Sequence, residues 1–146
     1  INTDKLPELL NNNNNLDFNS VRDSCFSADK NNLNENLGNI VLQNENAYFY
    51  LSILSNRIEK LINLNYELKK EKSIEKAIDK MKPPIFWKDK PTFYKQVSRW
   101  NSEKLEQARK ILFETEVQLK VNANLNNNTL IKNLIVDLYQ KASSTS

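Results

Sequence analysis

Residues 82–100, KPPIFWKDKPTFYKQVSRW, gather five aromatic and five cationic side chains into nineteen positions. Aromatic faces stack on bases while ammonium and guanidinium groups neutralise phosphates. One chemical reading of the segment is therefore a nucleic-acid contact, with Lys80, Lys82, Lys88, Lys90, Lys95 and Arg99 on a phosphate backbone and Phe86, Trp87 or Tyr94 as stacking platforms. The competing reading makes the aromatics core. Phe93, Val97 and Trp100 recur at i, i+4 and i+7 and share one helical face, whereas Lys95 and Arg99 point elsewhere.

Other chemistry is thinly provided. The chain has no histidine, so the commonest general base and metal ligand is missing, and its one cysteine, Cys25, has no imidazole to activate it. On the apolar side of a helix Cys25 reads as core filler. A single glycine, Gly38, rules out a phosphate loop or a dinucleotide fingerprint. Carboxylates are interleaved with lysines, as in YELKKEKSIEKAIDK, the pattern of a solvated helix face. No catalytic constellation, cofactor site or metal site is expected.

The 146 residues amount to one domain with room for a real core. Leu, Ile, Lys, Glu and Asn dominate and β-branched alternation is almost absent, so the expected class is all-α, a bundle of about five to seven helices. A net charge of +3 falls well short of a dedicated nucleic-acid module. One cysteine permits no internal disulfide, and no apolar run reaches the length of a membrane segment, which points to a soluble, reducing, cytoplasmic setting. The Asn runs at 11–15 and 122–128 read as polar loops and as the product of AT-rich codons.

Helices are expected at 17–29, capped by Asp17 and burying Phe18, Val21, Cys25 and Ala28, and at 31–43, burying Leu33, Leu37, Ile40 and Val41. Gly38 in the second marks either a cost to be offset or a close helix contact. The longest helix, 46–71, carries Ala47, Leu51, Leu54, Ile58, Leu61, Asn65 and Leu68 on a coiled-coil-like seam. Tyr50, Ile53, Ile62 and Leu64 widen that seam toward a bundle helix. Tyr48, Phe49 and Tyr50 are either interface contacts or internal. A short helix from Ser73 to Met81 ends at Pro83 and Pro84, which force an extended strap before the third-last helix. Pro91 suits the first turn of that helix; a helix over about 102–121, capped by Ser102 or Asn101, and a final helix carrying Leu130, Ile131, Leu134, Ile135 and Leu138 complete the bundle.

The run MKPPIFWKDKPTFYKQVSRWNSEKLEQARKILFETEVQLK, residues 81–120, resembles the C-terminal domain of the delta subunit of bacterial DNA polymerase III, part of the clamp loader. The shared pattern is a Pro-Pro pair, an aromatic and basic stretch, a Gln four positions before a Trp, and a helix ending in Glu and Lys. Here these are Pro83, Pro84, Phe86, Lys88, Phe93, Gln96, Trp100, Glu116 and Lys120. NENAYFYLSILSNRIEKLINLNYELKK and LIKNLIVDLYQKA are similar to the long middle helix and the last helix of that family. Trp87, where Phe is more usual, and the Asn-rich loops are departures.

The resemblance implies a helical collar domain over 13–142, preceded at 1–12 by the tail of an AAA-like lid domain and followed by a frayed tail at 143–146. It implies a non-catalytic role in assembling a hetero-pentamer with the gamma/tau ATPase and delta-prime subunits during DNA replication. The sliding clamp would be met through a separate N-terminal domain, and DNA indirectly through the complex. Polymerase activity would belong to the holoenzyme. On this view the strap aromatics wedge between helices, Gln96 bonds the backbone groups the prolines free, and Glu116 and Lys120 form an i, i+4 pair or meet other partners.

Overall fold

The computed structural model describes residues 18–121 and 126–144. Among them are seven α-helices and no strand: α1 (18–26), α2 (Lys30–Asn39), α3 (Ala47–Glu71), α4 (Ile74–Asp79), α5 (Lys90–Val97), α6 (Ser102–Val121) and α7 (Asn127–Ser143). Single 3-10 turns precede α3 and α5. The expected lid tail, the Asp17 cap and the first Asn run lie outside the described residues.

The centre of the bundle is α3, which packs on α4, α5, α6 and α7. Its wide apolar face is what allows this. Ala47, Leu51, Leu54, Ile58 and Leu61 of the expected seam are buried, and so are Tyr50 and Leu64 to either side. The seam is thus consumed inside the bundle. At about 1.5–3 kcal/mol for each fully buried large apolar side chain, this stripe far outweighs any propensity term in holding α3.

Two early boundaries differ from expectation. α1 stops at Phe26 because Ala28 takes a left-handed backbone (φ 58°), with the Asp29 N–H closing on the Ser24 carbonyl at 2.9 Å. Asp29 then caps α2, accepting from the Asn32 N–H at 3.3 Å. One short polar link both ends α1 and starts α2. Likewise α2 ends at Asn39, Ile40 is extended, and the chain stays non-helical through Gln43. Successive residues of an extended chain face opposite ways, so Ile40 and Leu42 are buried while Val41 is exposed. A Cβ built on Gly38 would meet nothing within 4 Å, so the glycine marks no close helix contact.

The later elements follow their signals. α3 closes on Lys72 in the left-handed region (φ 60°), whose N–H reaches the Leu68 carbonyl. Ser73 caps α4 by accepting from the Lys76 N–H, and Pro91 lies in the first turn of α5. Between them, residues 80–86 form the non-helical strap, with a cis Lys82–Pro83 bond. Asn101 rather than Ser102 caps α6, its Oδ1 accepting from the Lys104 N–H at 2.8 Å. Asn126, from the second Asn run, caps α7. That helix continues to Ser143, the first residue of the expected tail.

Candidate functional site

The segment that opened the sequence reading divides in two. One face of its C-terminal half is internal. Phe93, Gln96, Val97 and Trp100 are buried, and Trp100, 1% exposed, donates from Nε1 to the Phe26 carbonyl at 3.0 Å with its ring tilted on Phe26 at 5.4 Å. Asn65, the polar residue of the α3 seam, bonds across to this junction: its Nδ2 donates to the Trp100 carbonyl and its Oδ1 accepts from Ser102 Oγ.

Gln96 does not serve the strap. Its Oε1 accepts from Arg57 Nη1 at 2.8 Å, and its Nε2 lies 3.4 Å from each of three acceptors, the Asp23 carbonyl, Asp23 Oδ1 and Ser27 Oγ. Arg57 also donates to Asp23 Oδ1 at 3.0 Å, and its guanidinium lies 4.2 Å above the centre of the Phe93 ring. A buried cation needs several acceptors at once, and Gln96 with Asp23 supplies them. Burial lowers the Arg57 pKa to about 10; Arg22 pushes it the same way and Asp23 opposes it. The network ties α1, α3 and α5 together. Arg57 and Asp23 escaped the sequence reading, although Arg57 falls three residues after Leu54 and four before Leu61, on the inward stripe of α3.

The N-terminal half faces out. Met81 is buried and Ile85 half-buried, but Phe86 is 57% and Trp87 67% exposed, so the expectation that these aromatics wedge between helices is not met. Their rings lie 5.8 Å apart, with the Lys88 ammonium 5.5 Å from the Trp87 ring. Pro83, Pro84, Lys82, Tyr94, Lys95 and Arg99 are also exposed. The cations do not form an uninterrupted stripe, since Lys90 pairs with Asp79 at 3.3 Å and Lys80 with Glu71 at 3.8 Å.

A second outward feature lies between the antiparallel helices α3 and α6. It is a groove of about 300 Å³ lined by Tyr48, Leu51, Ser55, Arg109, Phe113 and Glu116, among others. Beyond Phe113 the outer face of α6 continues through Val117 and Val121, at intervals of four residues and all exposed. Tyr48 and Phe49 are exposed at the α3 end, whereas Tyr50 is internal, stacked on Phe18 at 4.5 Å. Glu116 is half-buried, Lys120 is exposed, and the two form no ion pair. Tyr48 and Phe49 were expected as either interface contacts or internal, whereas the α6 side of this face was not anticipated, although the spacing of Phe113, Val117 and Val121 is visible in the chain.

Cys25 is fully buried and its Sγ–H donates to the Ile135 carbonyl at 3.3 Å. Burial pushes its thiol far above the ordinary range, which suits a core residue rather than a nucleophile. Lys104, nearly buried, donates to the carbonyls of Arg99 and Ser144, so its charge sits at the C-terminal ends of α5 and α7. Among the described residues no group of three or more His, Cys, Asp or Glu side chains could hold a metal ion, and no helix is long and apolar enough to cross a membrane. No family model, no curated protein and no solved structure matches the chain.

Proposed function

We propose that this chain is an assembly domain of the kind its 81–120 run resembles: the collar of a DNA polymerase III delta subunit, which joins clamp-loader subunits without doing chemistry itself. The observation that carries the reading is the unpartnered aliphatic and aromatic face along α3 and α6, with Tyr48, Phe49, Phe113, Val117 and Val121 exposed side by side or at helical intervals. Single apolar residues on a surface are ordinary, but Phe113, Val117 and Val121 recur on one side of α6, and large exposed apolar side chains at helical spacing are what helix-to-helix docking between subunits uses. The arrangement of the motif agrees with this role. Phe93, Gln96 and Trp100 are internal and join α5 to α1 and α3, so they leave the outward side of α6 to meet a partner.

The test is mass by light scattering after mixing the purified chain with the gamma/tau ATPase and delta-prime subunits of the same source. A stoichiometric complex that forms without nucleotide is expected. A chain that stays free at micromolar concentrations would overturn the reading.

A second reading rests on the strap. Exposed Phe86 and Trp87 beside Lys82 and Lys88 are placed as a single-stranded nucleic-acid contact would need them. It calls for salt-dependent binding of single-stranded DNA whose slope diminishes when Lys88, Lys90 and Lys95 are replaced. Binding that ignores those replacements would remove it.

A further inference from the structure

The α3–α6 groove sets two leucines and two aromatic rings beside one carboxylate, Glu116, that has no cation of its own among the described residues, and we propose that it receives an amphipathic helix of a neighbouring subunit, one whose aliphatic side chains cover Phe113 and whose Lys or Arg reaches Glu116. The inference rests on the assembly reading and adds the chemistry of the partner.

The floor is Leu51 and Leu112, flanked by Tyr48 and Phe113, with the small side chains of Ser52 and Ser55 leaving space between the helices. Phe113 is 64% exposed in the free chain and is the largest apolar surface the groove offers. Covering it removes apolar area from water at the centre of the contact, where aromatic anchors have most effect.

Charge selects the occupant. Arg109 is engaged from both sides, by Glu59 at 2.8 Å and by Glu106 at 3.6 Å. Among the described residues no cation lies within 4.0 Å of Glu116. A helix laid over Leu112 and Phe113 would strip water from this half-buried carboxylate, and a desolvated carboxylate without a partner is costly. A partner that brings a cation offsets that cost, and one that brings a carboxylate is rejected.

The binding probes are two synthetic amphipathic peptides with leucines along one helical face, one flanked by lysines and its twin by glutamates, measured against the full chain by fluorescence anisotropy. The lysine peptide should bind and the glutamate twin should bind about tenfold or more weakly, as coupling across a close charge pair implies. Glu116→Gln should erase that preference and Phe113→Ser should abolish binding. Circular dichroism should show both variants as helical as the parent; Glu116→Gln, nearly the same shape, keeps the test decisive if Phe113→Ser does not fold. Equal binding of the two peptides, no binding of either, or a preference that survives Glu116→Gln overturns the inference. So does self-association of the parent chain that buries Phe113, which would assign the groove to a second copy.

The same variants separate this inference from the reading beneath it. If Glu116→Gln and Phe113→Ser chains join the clamp-loader subunits as the parent does, the assembly reading stands and the groove is not its contact. If the parent never joins them yet binds the lysine peptide through Glu116, the groove chemistry stands and the assembly reading falls.

Discussion

Residues 82–88 and 93–100 have nearly the same composition, aromatic and basic, and opposite fates. Phe93, Val97 and Trp100 are buried with Gln96 between them, while Phe86, Trp87 and Lys88 stand in solvent. Backbone conformation makes the difference. On α5 and the turn after it, spacings of three and four bring four side chains to one side, where α1 and α3 close over them. The prolines deny the strap a helical period, so it has no such side and can turn only Met81 and Ile85 inward. Composition identified a segment worth attention, and periodicity decided which half became core.

Substitutions can break or sharpen that contrast. Trp100→Ala removes the largest buried side chain together with its bond to Phe26, and is expected to cost about 3–5 kcal/mol by urea denaturation. A near-parental transition would end the distinction between the two halves. Gln96→Leu leaves Arg57 one acceptor short in a buried place, and a loss of about 1–3 kcal/mol is expected in the same assay. Adding Arg57→Met should recover part of it, because removing both partners leaves no unpaired charge.

Gly38→Ala calibrates the scale at a site where backbone alone counts. The added Cβ meets nothing within 4 Å, and a gain of about 0.5–1 kcal/mol should appear as a raised melting temperature. Smallest of all, the pair Phe86→Ser and Trp87→Ser should change stability by less than about 0.5 kcal/mol, since both rings are mostly in water already. A larger loss would mean the strap contributes to the core after all.

Much of the fold was legible in advance, for stated reasons. The limits of α6 and the span of α3 follow from long, unbroken apolar periodicity, and the Ser73 cap and Pro91 carry their own chemistry. Where periodicity is short, as in α1 and α2, boundaries moved, because Ala28 and Ile40 leave helical geometry at points the residue types do not announce. The candidate surfaces were less legible. Arg57 sits among leucines on the inward stripe and reads as a surface cation until Asp23 and Gln96 arrive from helices far away in the chain. The outward line of Phe113, Val117 and Val121 was overlooked because apolar residues at helical spacing are ordinarily taken for core.

By itself, the amino-acid sequence determined the helical class, the lengths of α3 and α6, the break at Pro83–Pro84 and the absence of histidine, since each depends on local spacing or on composition alone. Tertiary structure alone decided which apolar stripe faces inward, that Gln96 answers Arg57 rather than the strap, and that Glu116 lines a groove whose Arg109 is taken by Glu59 and Glu106. A helix with apolar residues on two sides can bury only the side its neighbours cover. That choice is made by packing between segments distant in the chain, which no local pattern encodes.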